Sequence, residues 1–177
     1  MKKSIATALF LFLATLLSGQ TTRLQSMIDS LRYLTADTLD CRAGLYWRII
    51  AQGDKAIPLL IDKLTDTTPT RVKFHCKKTK LNVGEVAYFA LNQIASFPAF
   101  LITKIQFDLI TTDETGLGCW SFYDFLFVNA NKPRYQESVR DWYNKEKSRY
   151  KAEMIPASVQ TECQKQYGIN TCYNWTE

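Results

Sequence analysis

Histidine is almost missing from this sequence: His75 is the only one in 177 residues. No Gly-x-Ser-x-Gly segment occurs either, so a serine nucleophile on a strand-to-helix turn has no local signature. Neither Cys-x-x-Cys nor a paired-histidine spacing is present, and a zinc site ordinarily wants four ligands at such spacings. No metal, no cofactor and no catalytic residue is therefore assigned. Beyond residue 20, no apolar run approaches the ~20 residues that a bilayer-spanning helix needs, so no transmembrane helix is expected in the mature chain. Convincing strand alternation is lacking too. The formal charge is only +5, which does not point to nucleic acid.

The beginning of the chain reads as an export signal. "MKKSIATALFLFLATLLSGQ" has two lysines, an apolar run from Ile5 to Leu17, and then the small residues Ser18 and Gly19. That order predicts a signal peptide over residues 1–19, cleaved near Gly19, and a periplasmic or extracellular destination. No cysteine lies near the boundary, so a lipid anchor is not expected there. Loss of Lys2 and Lys3 would lower the formal charge from +5 to +3. Five cysteines, all after the signal, fit an oxidising compartment. Cys163 and Cys172 bracket "QKQYGINT" and could close a short loop that pins the C-terminal tail. Cys41, Cys76 and Cys119 remain, and an odd thiol is left over whichever pair forms.

Helical periodicity dominates the chain beyond the signal. Leu24, Met27, Ile28, Leu31 and Leu34 step by three and four along one face. Gly53 then breaks the chain after Ile50, and Asp54 is a candidate N-cap for a helix carrying Ala56, Ile57, Leu60, Ile61 and Leu64. Pro58 falls in its first turn, where a missing N–H costs little. A further stripe runs Val83, Val86, Ala87, Ala90, Leu91, Ile94. "SFPAFLITKIQFDLI" predicts another helix entered through Pro98, and the aromatic "CWSFYDFLFVN" is read as helical from its neighbours. Asn131 and Pro133 open a last helix with Tyr135, Val139, Trp142, Tyr143 and Tyr150 on one face. The aromatics at helical spacing are read as core. The fold class predicted is all-α.

Ile50, Ala51 and Ile57 match Ile94, Ala95 and Leu101 at an offset of about 44 residues, the period of paired-helix solenoids. "GDKAIPLLIDKLTD" and "VGEVAYFALNQI" resemble the first and second helices of a HEAT-type (armadillo-like) repeat, over about residues 42–107. The resemblance implies a short α-α superhelix of helix pairs, a binding or scaffolding role, and no catalytic residue. The family's short inter-helix turn is replaced here by Thr65–Asn82, a longer insertion. On this reading residues 20–151 form the helical domain and 152–177 a disulfide-pinned tail. In an up-down array Cys41, Cys76 and Cys119 would share one edge, favouring a Cys41–Cys76 bridge over Cys76–Cys119.

The insertion "RVKFHCKKTK" is the main binding candidate. Arg71, Lys73, Lys77, Lys78 and Lys80 flank His75, and no acid occurs between Asp66 and Glu85. Such a cluster attracts an anionic surface: an acidic protein partner, a glycan, phosphate or lipid headgroups. A protein partner is the leading expectation. His75 and Cys76 are adjacent nucleophile and base types, but consecutive side chains usually diverge. The rival reading is a small exported glycan hydrolase with a carboxylate pair, drawn from Asp113, Glu114, Glu85 or Asp124. A structural subunit of an envelope complex is the third.

Overall fold

The computed structural model describes residues 22–107, 109–112 and 116–176. The expected signal segment, residues 1–19, lies outside the described residues, as do Asp113 and Glu114.

Residues 22–29 form helix α1, which tightens into a 3-10 turn at Ser30–Tyr33. Leu24, Ile28, Leu31 and Leu34 are buried, as their spacing requires. Helices α2 (Gly44–Ile50) and α3 (Ile57–Lys63) come next, separated by a 3-10 turn at Gly53–Ala56. Gly53 has φ +60°, a conformation that favours glycine, and a Cβ there would also stand tightly, 3.2 Å, against the Tyr173 hydroxyl. Asp54 is not the N-cap that the sequence suggests. It lies within the 3-10 turn, which runs directly into α3, so Ala56 takes the cap position without a side-chain bond. Pro58 does sit in the first turn of α3.

Helix α4 (Val83–Ile94) is the centre of the molecule. It is buried nearly all round, including Gly84, Glu85 and Tyr88 as well as its apolar stripe. Asn82 starts it with a reciprocal capping box: its side chain accepts from the Glu85 backbone N–H, and the Glu85 carboxylate accepts from the Asn82 N–H. The C-terminal end of α3 lies against the start of α4 so closely that a Cβ on Gly84 would stand 2.4 Å from the Leu64 carbonyl oxygen. Ala56–Leu64 and Val86–Ile94 thus pack as a couple.

The fold is mixed, not all-α, with two small antiparallel ribbons beside the helices. Helix α5 (Ala99–Thr103) ends after five residues because Lys104 turns left-handed at φ 59°. The chain expected to continue helically instead extends, and β-branched Ile110, Thr111 and Thr112 form strand β1 (Ile110–Thr112). It pairs antiparallel with β2 (Gly118–Trp120), opposite residues being Ile110 and Trp120, Thr111 and Cys119, Thr112 and Gly118. Helices α6 (Phe122–Phe127) and α7 (Lys132–Glu146) come after it. A second antiparallel ribbon joins β3 (Tyr150–Met154) to β4 (Thr171–Trp175), with helix α8 (Glu162–Gln166) between them. Strands this short offer too few positions for alternation to show in sequence. The second ribbon is not a loose tail: the Ser96 N–H donates to the Tyr173 carbonyl at 3.1 Å, so β4 docks at the end of α4.

The aromatic segment is core. Phe122 is fully buried, with the rings of Phe107 and Trp120 at 5.0 Å and those of Tyr88 and Tyr135 at 5.5 Å.

The disulfides are Cys41–Cys163 and Cys76–Cys119, and Cys172 is a free thiol. The Cys163–Cys172 loop does not close: Cys163 sits in α8 and is bonded to Cys41, while Cys172 is held in β4 opposite Glu153. Cys163 instead reaches Cys41, whose carbonyl also accepts from the Tyr167 hydroxyl at 3.0 Å. That link removes Cys41 from the edge assigned to it, and with it the Cys41–Cys76 bridge. Cys76 pairs with Cys119, the other bridge open to it.

Candidate binding site in the basic insertion

The insertion is an ordered hairpin-like loop built from its base upward. Val72 and Leu81 are fully buried, and Leu81 exchanges backbone hydrogen bonds with Thr70 and Val72. The Thr70 hydroxyl adds a bond to the Leu81 carbonyl at 2.8 Å. Higher up, the Lys73 N–H donates to the Asp37 carbonyl at 2.7 Å. Phe74 packs against Phe89, Tyr123 and Phe127, with ring centroids 4.7, 5.2 and 6.1 Å away. At the tip, Cys76 is bonded to Cys119 of β2, and His75 Nε2 lies 3.3 Å from the Gly118 carbonyl. Anchored at base, flank and tip, the loop presents its side chains at little further cost in conformational entropy.

The five cations do not act alike. Arg71, Lys73, Lys78 and Lys80 are exposed, and none forms an ion pair among the described residues. Together with Thr38, Leu39, Phe74 and His75, the insertion's lysines line an open groove of about 690 Å³. Lys77 turns inward. Its Nζ lies 2.6 Å from Glu85 Oε2, while Lys132 Nζ lies 2.9 Å from Glu85 Oε1. Glu85 is 0 % exposed and Lys132 2 %, so this is a carboxylate in the core shared by two ammonium groups and the Asn82 amide. Burial lowers the Lys132 pKa from the usual lysine value, and the Glu85 charge opposes that shift. No sequence signal places Lys132, 47 residues from Glu85, in this cluster; the Asn82-x-x-Glu85 spacing is a capping-box signature, one not among the sequence-based expectations.

Cys76 is oxidised, so His75 has no thiol beside it to activate. His75, Cys76 and Cys119 have ligand atoms within 4.8 Å of one another, but the disulfide consumes both thiolates that a metal would use. Glu85 is fully engaged in ion pairs and capping. Asp124 is exposed in the first turn of α6. No helix among the described residues is long and apolar enough to cross a membrane. Comparison with protein-family models, with curated proteins and with solved structures finds no match for this chain.

Proposed function

We propose that this protein is an exported, non-enzymatic binding module that docks an anionic surface of a protein partner on its basic insertion. The observation that carries this reading is the contrast within the loop. One lysine pairs with the core, whereas Arg71, Lys73, Lys78 and Lys80 are exposed and have no ion-pair partner among the described residues, on a loop fixed at base and tip. Like charges held together gain little from the fold and much from an anionic partner. The two disulfides fit the oxidising environment that an exported chain meets. A HEAT-like relation is proposed for the α3–α4 couple alone, and it would agree with a binding role.

The test is Lys78→Glu with Lys80→Glu, both exposed, leaving Lys77 in place. Retention of the native protein on an anionic matrix should fall steeply with salt. The double variant should lose that retention while unfolding at the same temperature. Equal retention of native and variant protein would end this reading.

A further inference from the structure

On another part of the surface, α1, α2 and α3 enclose a groove of about 930 Å³. Its apolar floor is buried Leu24 with half-buried Met27 and Leu59, and Ala51, Gln52 and Pro58 complete the lining at the surface. Arg23, Arg48 and Lys55 stand on its rim, all exposed. None of the three forms an ion pair among the described residues, and the lining holds no acid. Tyr167 closes one side. Its hydroxyl is tied to the Cys41 carbonyl at 3.0 Å, its ring stacks on Trp47, and α8 beneath it is held by the Cys41–Cys163 disulfide. This wall is therefore part of the fold, not a loose side chain.

An apolar trough under a rim of unpaired cations selects its occupant. Inorganic phosphate would satisfy the rim and leave the floor wet, and a neutral hydrocarbon would cover the floor and leave the charges unmet. Only an amphipathic anion uses both, and the volume lies within the usual range of small-ligand sites, roughly 300–1,000 Å³. We propose that this groove binds a free acyl carboxylate, its chain along Leu24, Met27 and Leu59 and its headgroup among Arg23, Arg48 and Lys55. The site is separate from the basic insertion and does not depend on its role.

The probe is a fluorescent polyene fatty acid, titrated against the processed chain, with its methyl ester as control. Saturable binding of the acid is expected. The ester should bind about tenfold or more weakly, and so should the acid to Arg48→Ala/Lys55→Ala, the scale of losing charge-assisted contacts. Met27→Asp should weaken both probes, whereas Lys78→Glu/Lys80→Glu should change neither. Unlabelled oleate should displace the probe, and anionic vesicles free of fatty acid should not. The proposal is overturned if acid and ester bind equally, if Arg48→Ala/Lys55→Ala binds like the native protein, or if vesicles displace the probe. It is also overturned if the groove has another occupant. A dimer lost in Met27→Asp would assign it to a second copy, and probe binding blocked in the unprocessed chain would assign it to the N-terminal segment.

Discussion

Glu85 and Lys132 meet in the core at 2.9 Å, 47 residues apart in sequence, with Lys77 closing the other carboxylate oxygen. The pair joins the start of α4 to the start of α7 and fixes the root of the basic insertion. Removing Glu85 leaves the buried Lys132 ammonium without its counter-ion, and also breaks the cap of α4. Glu85→Ala should therefore destabilise the fold by about 3–5 kcal/mol. Glu85→Leu with Lys132→Met should recover part of that loss, because the buried charges are replaced by apolar groups of similar size and the partly exposed Lys77 can turn to water. Urea unfolding of the single and double variants measures both. A loss below about 1 kcal/mol for Glu85→Ala, the scale of a surface pair, would show the cluster to be solvated.

Lys77→Glu should behave differently from Lys78→Glu although the two are adjacent. The first sets a second carboxylate against buried Glu85 and should lower the melting temperature. The second changes an exposed side chain and should leave stability within the usual surface range of about ±0.5 kcal/mol. Calorimetry of the two variants checks this, and equal melting temperatures would contradict the inward placement of Lys77.

Gly84→Ala is a test of the α3–α4 contact. A Cβ at 2.4 Å from the Leu64 carbonyl forces two backbones apart, since no flexible side chain can yield. Overpacking of this kind costs about 1–3 kcal/mol, against the gain that alanine ordinarily brings inside a helix. A stabilised Gly84→Ala protein would mean that the two helices are further apart.

Thiol counting on the unfolded, unreduced protein should find one free cysteine, and peptide mapping should identify it as Cys172. Cys172→Ser should leave stability almost unchanged. Breaking Cys41–Cys163, which closes a separation of 122 residues, should cost about 2–5 kcal/mol and release α8. A linked Cys163–Cys172 peptide would overturn the connectivity.

Stability should fall in strong alkali. Burial pushes the Tyr150 pKa up to about 12, and it raises those of Tyr46, Tyr88 and Tyr135 as well. A raised tyrosine pKa means that the folded state holds its proton where the unfolded state, at the ordinary value of about 10, has lost it. The stabilisation is complete below about pH 10 and drains away between about pH 10 and 12 for Tyr150. Lys132 acts in the opposite sense and at lower pH: its folded pKa is lowered by burial, so its contribution rises as pH approaches the ordinary lysine value of about 10.5 and is complete before most of the tyrosine loss. Absorbance titration at rising pH should show these phenols ionising only with unfolding. Free titration of every tyrosine near pH 10 would place them in water.

Much of the helical framework was legible along the chain. The stripes of α1, α3 and α4 are local patterns, set by which side chains share a face 3.6 residues per turn apart. Pro58 and Gly53 mark a start and a break for reasons intrinsic to their own backbones. The aromatic run around Phe122 read as core because so much apolar area has nowhere else to go. The ribbons were not legible: β1 and β2 are three residues each, and β3 finds β4 only after the chain has passed through α8. The binding insertion was visible as a run of charge, but the run gave no sign that Lys77 serves the core. The rim of Arg23, Arg48 and Lys55 left no trace at all, since its members come from separate elements.

Local chemistry in the sequence thus determined the helix faces, the breaks between them and the oxidising setting implied by five cysteines. Tertiary structure decided the mixed fold, the pairing of Cys41 with Cys163, and the division of the basic cluster into one charge paired with the core and four exposed ones. The physical reason is range. Backbone propensity and amphipathic spacing act over a few residues, whereas disulfide partners, strand pairs and buried ion pairs are chosen by proximity in space among groups tens of residues apart.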